Sequence, residues 1–77
     1  MRLDKFLKVS RIIKRRSVAK EQIDNGNVLL NGKVAKAASE VKINDTITLS
    51  KKNLSYRVVV IYESATEEKA KTMYEEL

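Results

Sequence analysis

Leu3, Phe6, Leu7, Ser10 and Ile13 recur at the spacing of one helical face, while Lys5, Lys8 and Ile12 fall on the other side. The pattern predicts a helix from about Leu3 to Ile12 with one buried stripe and one basic face. The cluster Lys14, Arg15 and Arg16 then leads into a second helical segment. Ser17 reads as its N-cap, Val18, Ala19 and Ile23 as its inward residues, and Asn25-Gly26 as its left-handed stop. So short a link makes the two helices a tight corner.

From Val28 onward the period changes to that of strands. Val28, Leu29 and Leu30 form a short strand, Asn31-Gly32 supplies a two-residue hairpin turn because both positions accept positive φ, and Lys33, Val34 and Ala35 return. After a turn at Asn44-Asp45, Ile47 and Leu49 alternate with Thr46 and Thr48. Past the polar turn Lys51-Lys52-Asn53, residues Tyr56, Val58, Val60 and Tyr62 share one face of the longest strand, which its β-branched run places in the middle of the sheet. Ser64 and Glu67 read as the capping box of a last helix, with Ala70, Met73, Tyr74 and Leu77 on one stripe. That stripe either docks on the sheet or meets a partner; docking is favoured, because a small domain gains core by covering its sheet. The expected class is α+β, with two N-terminal helices packed on a small, twisted, mostly antiparallel sheet, residues 1–63 forming the main body and 64–77 an appended C-terminal helix.

Charge adds a direction to this picture. The 77 residues include 16 Lys+Arg and 10 Asp+Glu, for a net charge of +6. Residues 1–36 hold 10 of the basic and 3 of the acidic side chains, leaving the rest of the chain near neutrality. One basic half beside one neutral half is the footprint of a polyanion binder. The chain has no Cys and no His, which removes the thiolate and imidazole ligands of metal sites and the usual general base. Glycine occurs only at 26 and 32, both assigned to turns, so there is no glycine-rich phosphate loop. Glu67-Glu68 and Glu75-Glu76 read as a solvated face. Neither catalysis nor a cofactor is expected, and no apolar run reaches the length of a membrane span. The protein is expected to be soluble and cytoplasmic, and a monomer is the expected state.

Individual cations sharpen the partner. Arg2 lies at a helix start, where the dipole disfavours a cation; a local pair with Asp4 and a phosphate contact both answer this. Arg15, Arg16 and Lys20 surround the start of the second helix, a conflict that an anion would resolve. Lys33 and Lys36 extend the basic surface. The basic half has no Trp or Tyr and only Phe6, which the period assigns to the core, so stacking platforms for single strands are missing and folded RNA is the better target. Two rival readings remain open here: a membrane-surface binder using the first helix, and a protein–protein adaptor using the last.

The sequence order Arg2-Leu3-Asp4, Leu7, Arg16-Ser17, Ala19, Ile23, Gly26, Val28, Leu30-Asn31-Gly32, Ser39, Val41 and Asp45 resembles the small RNA-binding domain named for the fourth protein of the small ribosomal subunit, across about residues 1–49. The segment KRRSVAKE from Lys14 to Glu21 and the chain length further resemble bacterial ribosome-associated quality-control factors of the RqcP type, and less closely the heat-shock protein fifteen type. This resemblance implies an S-four-like (alpha-L) fold and a protein that binds obstructed large ribosomal subunits. It further implies that the protein contacts rRNA and stabilises peptidyl-tRNA, which supports the addition of alanine tails by a partner factor on the same subunit. A ribosome-recycling role is the alternative. Carried over by position, it makes Arg2 and Arg16 the foremost RNA contacts, with Lys5, Lys14, Arg15, Lys20 and Lys33 around them.

Overall fold

Leu3, Phe6, Leu7 and Val9 wind into helix α1 (Leu3–Val9), and Ala19 and Ile23 anchor helix α2 (Arg16–Asp24). The computed structural model describes residues 1–77. Five antiparallel strands follow: β1 (Val28–Leu30), β2 (Lys33–Val34), β3 (Thr46–Leu49), β4 (Leu54–Val58) and β5 (Tyr74–Glu76), with a short helix α3 (Glu67–Ala70) before the last. Their order across the sheet is β2-β1-β3-β4-β5. Leu3, Phe6 and Leu7 of α1 meet Ala19 and Ile23 of α2 and the sheet residues Val28, Ile47 and Val58 in one core, which Met73 completes. The expected α+β class with an antiparallel sheet is what forms.

The start of α1 is fixed from outside the helix. The N–H groups of Leu3 and Asp4 donate to the carbonyls of Ser39 and Ala37 at 2.8 and 3.2 Å, and Val41 N–H donates to the Met1 carbonyl at 2.8 Å. These bonds satisfy amides that a helix start leaves open and pin Arg2 opposite Glu40. The helix is shorter than the predicted run to Ile12. It closes at Ser10, whose hydroxyl donates to the Leu7 carbonyl at 3.3 Å, and Arg11 adopts a left-handed φ of 63° just beyond. Ser10 is buried as the period implied. Its polar side chain gives the backbone an alternative to another helical turn.

Helix α2 begins one residue before the expected cap. Arg15, in extended conformation, occupies the N-cap position without a side-chain bond, and its carbonyl already accepts the Ala19 N–H at 3.0 Å. Ser17 therefore lies inside the first turn. Val18, expected to point inward, is exposed, because the i, i+4 pair Ala19 and Ile23 defines the buried face. The stop at Asn25-Gly26 forms as predicted. Gly26 has φ 77° and its N–H donates to Ile23, while Asn27 N–H reaches back to the Gln22 carbonyl at 3.0 Å. This is the Schellman pattern.

Asn31 and Gly32 both have positive φ, 54° and 82°, and set the β1–β2 register at Leu30 opposite Lys33. The Asn31 side chain also reaches β3, accepting from Thr46 N–H at 2.9 Å and donating to Asp45 at 3.1 Å. Asn44, at φ 76°, makes the turn before β3. Strand β4 is the longest, but it stands second from one edge, and β3 holds the centre.

The C-terminal segment departs most from expectation. The helix predicted over 64–77 contracts to the single turn of α3, capped by Thr66, whose Oγ1 accepts from Lys69 N–H, rather than by Ser64. Ala70 and Met73 are buried and Tyr74 packs half-buried against this chain's own core, while Leu77 stays exposed. Tyr74–Glu76 then extend along the open edge of β4. An unpaired β4 edge would leave a row of backbone donors and acceptors unmatched, and β5 satisfies them. Two side-chain pairs fix the register: Tyr56 and Tyr74 pack edge to face at 5.2 Å, and Arg57 donates to Glu75 at 2.9 Å. The long final helix that a protein adaptor would have used does not form.

Candidate nucleic-acid interface

Asp4 is the pivot of the basic face. Helix α1 buries its carboxyl group almost fully, yet two guanidinium groups reach it. Arg2 Nε and Nη2 donate to Asp4 Oδ1 and Oδ2, each at 3.2 Å, and Arg16 Nη2 donates to Oδ1 at 3.4 Å. The Lys5 N–H adds a fourth donor at 2.8 Å. Burial on its own would push the Asp4 pKa up; the hydrogen bonds from Arg16, Arg2 and the Lys5 backbone outweigh it and hold the carboxyl below its ordinary value. Both arginine side chains remain about half exposed, at 51% and 48%. Each guanidinium has five N–H donors, so both keep donors facing solvent after Asp4 is served. One buried carboxylate therefore sets two planar forks side by side, from residues 14 positions apart in the chain. Both answers to the Arg2 question are compatible: the Asp4 pair exists, and it leaves the outer edge of Arg2 free for an anion.

Beside this pair lies a cleft of about 380 Å³ between α1, the α1–α2 link and the loop after β4. Lys5, Lys14 and Arg16 line it, joined by Lys8 and Arg11, which sequence reasoning left out of the site. Lys8 carried a usable signal, since it follows Lys5 by three positions on the same polar helix face. Arg11 carried none: its side chain enters the cleft because the backbone turns through a left-handed conformation that non-glycine residues seldom adopt. Lys5 also meets Glu63 Oε2 at 2.5 Å, which draws the Glu63 carboxyl below its usual range. Arg11 and Lys14 form a ridge whose far side lines a second groove of about 490 Å³, floored by Ile12, Ile13, Val18 and Leu49 and edged by Lys51 and Lys52.

The remaining candidates are distributed around this centre. Arg15 is exposed at the N-cap of α2, and Lys20 is exposed one helical turn beyond Arg16. Lys33 sits on the exposed edge strand β2 and lines neither cleft. No cluster of acidic residues suited to a metal ion occurs, and no helix is long and apolar enough to cross a membrane. The arrangement offers charge and donor geometry to phosphate oxygens, with two guanidiniums held on Asp4, Arg2 by two bonds and Arg16 by one, and several ammonium groups around them.

A family model described as the S4 domain matches residues 1–47. Over nearly its full length the chain is 48% identical, across 77 residues, to the RQC P-site tRNA stabilizing factor of Streptococcus pneumoniae, covering 97% of this chain and 88% of that protein. The protein of the same name from Bacillus subtilis is 47% identical across 76 residues, with coverage of 96% and 88%. Heat shock protein 15 of Escherichia coli is more distant, at 37% over 81 residues, and this chain spans 59% of it. Among solved structures, the trimeric structure of Vibrio cholerae heat shock protein 15 superimposes with a TM-score of 0.91 at 31% identity, covering 100% of this chain and 81% of that one. The matched S4 region holds α1, α2, the β1–β2 hairpin and the Arg2–Asp4–Arg16 cluster. The chain belongs to the S4 domain family and, within it, to the branch of the RQC P-site tRNA stabilizing factors.

Proposed function

We propose that this protein binds RNA on large ribosomal subunits and holds the P-site tRNA in place during ribosome-associated quality control, contributing recognition and no chemistry of its own. The observation that carries the RNA-binding part is the pair of guanidiniums oriented by buried Asp4. A solvated basic face would not need a buried carboxylate to organise it, whereas phosphate recognition gains from donors fixed before the ligand arrives. Arg2 and Arg16 are the principal phosphate contacts in this reading; Lys5, Lys14, Arg15 and Lys20 surround them, and Lys33 reaches a more distant phosphate. The first amides of α2 lack a side-chain cap, which leaves donors for an anion beside Arg16.

Kinship with factors named for stabilising P-site tRNA narrows the RNA to a tRNA and the rRNA around it. On an obstructed subunit that tRNA carries the stalled peptide, and a partner factor supports extension of the tail. The direct test uses purified large subunits carrying peptidyl-tRNA, sedimented with and without the protein. Retention of the tRNA on the subunit should rise when the protein is present, and the protein should co-sediment with tRNA-bearing subunits in preference to empty ones. Equal tRNA loss in both samples would remove the stabilising role and leave a general RNA binder.

A further inference from the structure

The loop that follows β4 lies beyond the S4-matched residues and brings a carboxylate into the basic cleft. Glu63 meets Lys5 across 58 positions of sequence, and Ser64 and Ala65 complete the same wall. The other charged groups lining the cleft are all cations, so Glu63 is the lone anion among five of them. To an ammonium group, a carboxylate and a phosphodiester offer the same kind of charged acceptor oxygen. The chain thus already places an anionic oxygen where an RNA phosphate would bind.

This contact is suited to exchange. The Glu63 side chain is 82% exposed and that of Lys5 36%, and pairs this open to water contribute little to stability. The backbone of Lys5 is set by α1 and its buried stripe, so Glu63 holds only the ammonium end. Any RNA that approaches Lys5 must move the carboxylate aside or bind near a like charge. An RNA whose shape delivers phosphates to Arg2, Arg16 and Lys14 at the same time offsets that repulsion, whereas a ligand that touches one corner does not. Specificity is a difference of affinities, and a built-in repulsion can widen it.

Resting on the RNA-binding reading above, we propose that Glu63 is a displaceable stand-in for a backbone phosphate. It lowers the affinity of the basic face for RNA in general and so favours RNA shaped to engage several cations together. Glu63→Gln keeps the side-chain volume and removes the charge. The variant and the parent are compared by fluorescence anisotropy with a labelled RNA hairpin of arbitrary sequence, by sedimentation with purified large subunits, and by thermal melting. Glu63→Gln should bind the hairpin about two- to five-fold more tightly, the range set by an exposed ion pair. Its log–log salt slope should be steeper by roughly one. Large subunits should gain less, so that discrimination narrows, and the melting temperature should not move. Lys5→Met should weaken hairpin binding more in the Glu63→Gln background than in the parent, because only there is Lys5 unneutralised before binding. If Glu63 merely anchors its loop to α1, the variant melts earlier while hairpin affinity and salt slope stay at parent values, and the proposal falls. A parent that binds neither hairpin nor subunit overturns the RNA reading and this inference with it; a parent that binds and a variant identical to it overturn this inference alone.

Discussion

Asp4 shows how one side chain can serve stability and recognition together. Its carboxylate is buried, and a buried charge is tolerated only when it is paired and fully hydrogen-bonded, which Arg2, Arg16 and the Lys5 N–H accomplish. In Asp4→Asn the side chain can still accept from Lys5 N–H, but it loses the charge that holds both guanidiniums. We expect a loss of about 1 to 3 kcal/mol at neutral pH, the cost of breaking charge-assisted bonds at a buried group. The sign of the pH dependence follows from the depressed pKa. Asp4 stabilises the fold fully above its unfolded value, near 3.8, and that contribution disappears as pH falls from there through the lower folded-state value. Glu63 and Glu75 are also depressed, but they are common to both proteins and cancel in the comparison. Thermal melts of parent and Asp4→Asn should therefore begin to converge as pH falls below about 4, the gap narrowing further with acidity. An equal gap at pH 3 and pH 7 would mean that Asp4 is not the pivot.

The turns and the stop of α2 were legible because each is decided by a few adjacent residues, whereas the N-caps expected at Ser17 and Ser64 fall at Arg15 and Thr66. Asn31-Gly32 is the clearest case, with both residues at positive φ. Nothing lies within 4 Å of a Cβ built at Gly32, so the first carbon of a side chain there is opposed by backbone conformation rather than by a clash. Gly32→Val should cost about 1 to 2 kcal/mol, a fall in melting temperature of about 4 to 16 °C. RNA binding measured well below the melt should survive; an unchanged melt would show that the turn is not tight. The Schellman stop at Gly26 and the alternation of β3 were equally local. The C-terminal segment was not. Ala70, Met73, Tyr74 and Leu77 do fall at helical spacing, yet the deciding contacts, Tyr56 with Tyr74 and Arg57 with Glu75, join residues 18 apart that no short window brings together. Long-range demand from the β4 edge overrode the local period. The same limit applies to the site. Arg2, Lys5, Lys14 and Arg16 could be nominated from charge and position, but the share of Arg16 in Asp4, the entry of Arg11 and the intrusion of Glu63 depend on how loops close.

Across the molecule, charge and architecture are divided in one way. The basic half of the sequence supplies α1, α2 and the hairpin, while the near-neutral half supplies the strands that complete the sheet and support the core. Cations concentrated on one face make association with RNA dependent on counterion release. With about five phosphate contacts, the affinity for folded RNA should fall with salt at a log–log slope of about −3 to −4. An affinity indifferent to salt would point to a protein partner instead. The most direct test of the interface compares Arg16→Ala and Arg16→Lys with the parent in binding to purified large ribosomal subunits. Removing Arg16 leaves Asp4 with Arg2 and the Lys5 N–H, so the fold should persist, as thermal melts would verify. Loss of a charge-assisted two-pronged contact should reduce affinity by about 1.5 to 3 kcal/mol, roughly 10- to 150-fold. Arg16→Lys should recover only part of it, since an ammonium keeps the charge but cannot hold Asp4 and present a planar fork outward. Parent-like binding by both variants would contradict the Arg2–Asp4–Arg16 site and move RNA recognition elsewhere on the basic face.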